Sequence, residues 1–150
     1  PRGPAGPAGA NGIALNSVLA LNNVLGTEIA VLAPISLFNV LTTSPTGITH
    51  TDASPIISLD AGVYKIDVSG VFTSAEAAGT VGLSMYFVGT GTDFAPSGMS
   101  QTLTAANQMF TLSNQFILQV QNDNTSVAFR NTGTVVETIN PLNVTILSLN

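Results

Sequence analysis

The chain has one histidine, His50, in the run Thr49-His50-Thr51-Asp52, and a hydrolytic reading would set it between Asp52 and one of the many serines. A catalytic triad needs a base oriented by a carboxylate and a nucleophile within hydrogen-bond reach. No Gly-x-Ser-x-Gly elbow accompanies the histidine, and His-Thr-Asp neighbours read as a polar loop. Gly89-Thr90-Gly91-Thr92-Asp93 has the glycines of a phosphate loop but neither the lysine nor the following helix, so it reads as a turn between strands. The eight carboxylates are Glu28, Asp52, Asp60, Asp67, Glu76, Asp93, Asp123 and Glu137, and they are scattered, several at turns where aspartate bonds its own backbone. No pair suggests acid–base work, and no Asp-x-Asp pattern near Asp93 or Asp123 suggests calcium. Surface solvation is the reading for all of them. Two sequons, Asn124-Thr125-Ser126 and Asn143-Val144-Thr145, match the glycosylation pattern, the second inside an expected strand. We therefore expect no enzyme, no cofactor and no metal site.

Composition narrows the rest. Charged residues make up 7% of the 150 and the net charge is −5, so no basic patch exists to hold a phosphate backbone. Nucleic acid is not an expected partner. Hydrophobic residues reach 45% and the mean hydropathy is +0.43. So apolar a chain with so few charges predicts burial twice, in a core and between subunits. Asn16, Asn22, Asn23 and Pro34 interrupt the longest apolar stretches, so no membrane span is expected. There is no cysteine, which removes disulfides and thiolate chemistry. The sequence opens at Pro1 without a signal-like segment, so any targeting information is expected upstream.

The organising stretch is residues 1–12, where Gly3, Gly6, Gly9 and Gly12 keep a strict period of three and Pro4 and Pro7 follow the first two glycines. In a collagen triple helix every third residue faces an axis that admits only glycine. A flexible linker needs no such period. Four triplets cannot hold three chains together, so they are expected to end a longer collagen-like stalk, followed by a homotrimeric head. Residues 13–25 form an apolar neck whose periodicity fits helix and strand equally, with Leu15 and Leu19 expected near a three-fold axis.

From Gly26 to Asn150 the punctuation is all-β. Strands are expected near Ile29–Leu32, Ser36–Leu41, Ile56–Leu59, Val63–Phe72, Val81–Val88, Ser100–Leu103, Met109–Gln121, Ser126–Asn131 and Leu142–Leu149. About nine strands in this length predict a two-sheet sandwich or jelly roll. Alternation points Tyr64, Ile66, Val68 and Phe72 to the core, with Phe116, Leu118 and Val120. Ile117, Leu147 and Leu149 fall on the opposite faces, and strands apolar on both faces need cover on both. A neighbouring subunit is the expected second cover.

The segment Ile56-Ile57-Ser58-Leu59-Asp60-Ala61-Gly62-Val63-Tyr64-Lys65-Ile66-Asp67-Val68 resembles the Gly-x-Tyr-x-Ile strand pair of complement C1q/TNF-like jelly rolls. With the Gly repeat, Phe38-Asn39-Val40 before a Thr/Gly loop and the C-terminal Val-Thr-Ile-Leu strand, the order is similar to the heads of bacterial collagen-like exosporium glycoproteins of the BclA type. The resemblance implies a tight trimer that sets stalk register, on a spore or cell surface outside the cell. The chain departs from vertebrate members in its low charge and its 7 Phe, 2 Tyr and no Trp, so no ligand or calcium site carries over. A structural head is the expected function. The alternatives are a trimeric adhesion head for a host or matrix ligand and a phage tail-fibre tip, with Thr42–Asp52, Gly89–Ser97 and Asn122–Thr125 as the expected distal loops.

Overall fold

The computed structural model describes residues 2–6, 18–41 and 46–150. Gly9, Gly12, Leu15 and part of the 42–52 loop lie outside the described residues. Residues 2–6 are exposed and belong to no helix or strand.

Twelve strands follow in chain order: β1 Val18–Asn23, β2 Glu28–Ile29, β3 Phe38–Asn39, β4 Ile48–His50, β5 Ile57–Leu59, β6 Gly62–Thr73, β7 Gly79–Phe87, β8 Thr92–Asp93, β9 Met99–Leu103, β10 Phe110–Val120, β11 Thr125–Asn131 and β12 Glu137–Ser148. They make two antiparallel six-stranded sheets. The first runs β10-β6-β12-β1-β3 with β2 added on β12; the second runs β4-β5-β11-β7-β8 with β9 added on β7. This is an all-β jelly-roll sandwich, and its hydrophobic core lies between the two sheets.

Alternation explains the long strands. In β6, Tyr64, Ile66, Val68 and Phe72 are buried, and Phe116, Leu118 and Val120 of the neighbouring β10 are buried on the same face of the sheet. Phe94 bridges the two layers, lying edge-on to Phe87 at 6.0 Å and tilted on Phe116 at 5.8 Å. In β12 a bulge between Ile139 and Leu142 takes up Asn140 and Pro141. It shifts the parity so that Glu137 and Ile139 before it, and Leu142, Val144 and Ile146 after it, all face inward. Proline is tolerated there because a bulge does not need its missing N–H.

The ambiguous neck is settled from Val18 onward: β1 is a strand, paired along its length with β12 and at Leu21 and Asn22 with β3. The sandwich thus begins at least eight residues before Gly26, the expected head boundary. Leu19 is a correction. It is 4% exposed, on the inward parity of β1 with Leu21, and packs in the chain's own core rather than against another copy.

Several short elements also differ from expectation. β3 is two residues long, β12 begins five residues early, and β4 and β8 occupy stretches expected to be loop. Strand direction sorts the connections into two ends. Val18 and Asn150 lie at one end, here the near end, with Gly47, Asp60–Gly62, Val88–Gly91 and Gln121–Asn124. The connections 24–37, 51–56, 74–78, 104–109 and 132–136 lie at the far end. The expected distal loops are therefore largely misplaced: 89–91 and 122–124 lie at the near end, as does the start of the described part of 42–52.

Candidate functional site

Three regions could carry function: the near-end connections, the outward face of the first sheet, and the far end.

At the near end the carboxylates act as loop locks. Asp123 accepts a hydrogen bond from Ala61 N at 2.9 Å, and Asp60 accepts one from Asn124 N at 3.2 Å. The Tyr64 hydroxyl donates to the Asp60 carbonyl at 2.7 Å. Burial, then the charges of Asp60 and Asp123, push the Tyr64 hydroxyl above the usual phenol range. Gly89–Asp93 is a hairpin turn held by Arg130, which pairs with Asp93 at 3.0 Å and donates to the Gly91 carbonyl at 2.9 Å while lying over the Tyr86 ring.

His50 is a structural strut. Its Nδ1 meets the Asn39 side-chain oxygen at 2.6 Å and its Nε2 the Ser54 carbonyl at 2.8 Å. Asp52 is engaged elsewhere, accepting from Asn39 N at 2.8 Å. The group thus ties the β3 edge of one sheet to the β4 edge of the other. Among the described residues no cluster of histidine and acidic side chains is arranged to hold a metal.

The outward face of the first sheet carries cross-strand rows set by register. Ile117, Lys65, Leu147 and Val18 stand side by side on β10, β6, β12 and β1. The next row is Gln115, Asp67, Thr145 and Ala20, where Gln115 donates to Asp67 at 2.6 Å. Beyond it come Ser113, Ser69 and Asn143. The face thus carries three apolar side chains beside Lys65 toward the near end and is polar further along, where it dips into a shallow depression of about 460 Å³. Ile117 is 53% exposed and Leu149 47% exposed, so large apolar groups on this side face solvent in the single chain.

The far end is built around buried polar groups. Asn131 is fully buried; its Nδ2 donates to the Ile29 and Val135 carbonyls, each at 2.9 Å, and its Oδ1 accepts from Gly133 N at 2.7 Å. One side chain therefore stitches the end of β2 to the 132–136 connection. Ser74 donates to the Val136 carbonyl at 2.6 Å and ties in a third.

Glu137 is the second correction. It is 1% exposed rather than solvated, and its Oε2 accepts from Gly82 N at 2.7 Å while Oε1 has no partner. Burial pushes its carboxyl up to about 8, the Gly82 N–H offsetting only part of the effect. The signal was present in the sequence, since Glu137 has the parity of Ile139, but Pro141 disguises the strand that carries both.

No protein-family model and no curated protein matches the chain. Solved structures do match, and the fold they share is the C1q/TNF-like jelly roll. Eiger TNF from S. frugiperda superposes with a TM-score of 0.69 at 12% identity, covering 89% of this chain and 92% of that one. The globular domain of zebrafish complement 1qA gives 0.61 at 9% identity, covering 89% and 98%. PRD1 vertex protein P5 gives 0.52 at 19% identity, covering 91% and 99%.

Proposed function

We propose that this chain is a structural trimerisation head that sets and caps a collagen-like stalk on a bacterial spore or cell surface. The observation that carries the reading is the outward row Ile117-Lys65-Leu147-Val18, three apolar side chains beside one lysine at the end where Val18 enters the sandwich. A second copy laid on that row removes apolar surface from water at about 25 cal/mol per Å². The jelly-roll fold and its likeness to complement 1qA support it. So does the strict period of Gly3, Gly6, Gly9 and Gly12 in the sequence, because three chains around one axis need glycine at every third place.

In this reading three heads bring three stalks to high local concentration and fix their stagger. The head has no catalytic role, its partner is its own copy, and its place is outside the cell. The test is the solution mass of residues 1–150 by light scattering, in low and high salt and on dilution. A three-chain mass that survives salt is expected, because few charges contribute. A monomer overturns the reading.

A second reading, the tip or vertex protein of a virus particle, is favoured by the likeness to PRD1 vertex protein P5. Antibody labelling of spores, cells and virus particles separates the two.

A further inference from the structure

The outward face of the first sheet is almost free of charge. Among the described outward side chains of β1, β6, β10 and β12, only Lys65 and Asp67 are ionisable. They stand two residues apart on β6, in adjacent cross-strand rows, and both are half-buried in the single chain. Lysine and arginine together number three in the whole chain. One of the three thus occupies the row of Ile117, Leu147 and Val18, where an aliphatic residue would serve a plain apolar contact better.

The two charges are differently placed within the chain. Asp67 is already oriented, since Gln115 Nε2 donates to its Oδ1 at 2.6 Å. Lys65 has no carboxylate partner: the ion pair among the described residues joins Arg130 to Asp93. When a second copy covers this face, Lys65 leaves water among apolar neighbours. An ammonium enclosed without a counter-charge opposes association strongly. The face itself supplies one anion, and on a self-associating surface that anion also arrives with the incoming copy. Adjacent rows on a strand are about 6.8 Å apart, two residues at about 3.4 Å each. The flexible four-carbon stem of lysine spans a comparable distance.

We propose that Lys65 of one copy pairs with Asp67 of the next, and that this pair selects the register in which the heads assemble. The proposal rests on the reading of this face as the contact between copies. In a closed ring every interface is the same, so the pair recurs at each one. Unlike charges meet in one register of the two surfaces; other registers set like against like or leave both charges unpaired. Gln115 is then a positioning residue, fixing the carboxylate that receives the neighbouring ammonium. Enclosure beside Ile117 and Leu147 keeps the pair from being screened by salt. The same pair excludes from the assembly any head with a different charge pattern on this face.

The test is the solution mass by light scattering of residues 1–150 as the unaltered chain, as Lys65→Glu, as Asp67→Lys, as an equal mixture of those two, and as Lys65→Met. A three-chain mass is expected for the unaltered chain and a monomer for each charge-reversal variant alone. Mixing the two is expected to restore the assembly, because the carboxylate introduced in one meets the ammonium introduced in the other. That rescue also shows that both variants fold. Lys65→Met is expected to raise the concentration needed for assembly about tenfold, since it encloses Asp67 without its cation. A lysine that merely keeps the face wet predicts the opposite, tighter assembly with methionine. Charge-reversal variants that keep the three-chain mass, a mixture that stays monomeric, or tighter assembly of Lys65→Met overturns the pairing and leaves the three-chain reading standing. A monomeric unaltered chain removes both.

Discussion

Glu137 shows how one side chain can set the response of the head to pH. Its carboxyl titrates near 4.5 when unfolded and at about 8 in the fold, so the folded state binds a proton that the unfolded state has already lost. Wherever the folded state holds more protons, stability falls as pH rises. The contribution is therefore fully retained below about pH 4.5 and declines up to about pH 8, by roughly 1.4 kcal/mol for each unit crossed. Glu137→Gln keeps the shape and can still accept from Gly82. It is expected to match the parent near pH 4.5 and exceed it by a few kcal/mol at pH 8.5, read by urea denaturation at both values. Parallel pH profiles for the two proteins would show that Glu137 is not the group responsible.

Among the elements, the far-end connections depend on Asn131 as strands depend on their ladders. Asn131→Ala removes three hydrogen bonds and strands the Ile29 and Val135 carbonyls and the Gly133 N–H inside the protein. The expected loss is about 3 kcal/mol by denaturant titration. Amide exchange should accelerate in 29–35 and 132–136 and leave β6 and β10 protected. Gly133 is equally constrained, because a Cβ there would run into the Thr80 carbonyl oxygen. The element scale is also where sequence was most and least informative. β6 and β10 were legible because Tyr64, Ile66 and Val68 alternate cleanly with Lys65, Asp67 and Ser69, and because Phe116, Leu118 and Val120 repeat the pattern. Two-residue strands such as β2 and β8 present no period at all. Their existence follows from pairing with β12 and β7, which only the folded chain supplies. Glu137 was hidden for a different reason: the bulge at Asn140 and Pro141 breaks the alternation that would have assigned its face. A small far-end recess was illegible because Glu28 of β2, Glu76 of the 74–78 connection and Val136 ahead of β12 come together only in the folded chain.

At the scale of the whole molecule, the outward row of the first sheet makes a prediction about assembly. Ile117→Asp and Leu147→Glu place a carboxylate in that row without touching the core, since Ile117 is exposed and Leu147 half-buried. Each is expected to leave the unfolding free energy of the isolated head within about 0.5 kcal/mol. Each should also convert a three-chain mass to a monomer by light scattering. Retention of the full mass in both variants would move the interface to another face. The double variant Glu28→Gln/Glu76→Gln, at the opposite end, should leave the mass unchanged.

Val18 enters and Asn150 leaves the sandwich at the same end. A payload fused after residue 150 therefore hangs back beside whatever precedes Val18 and leaves the far end unobstructed. A short epitope inserted in 104–109 would instead ride at the very front. Residue 150 and the 104–109 connection thus offer opposite ends of the sandwich to a cargo, and the choice of insertion point decides which end it occupies.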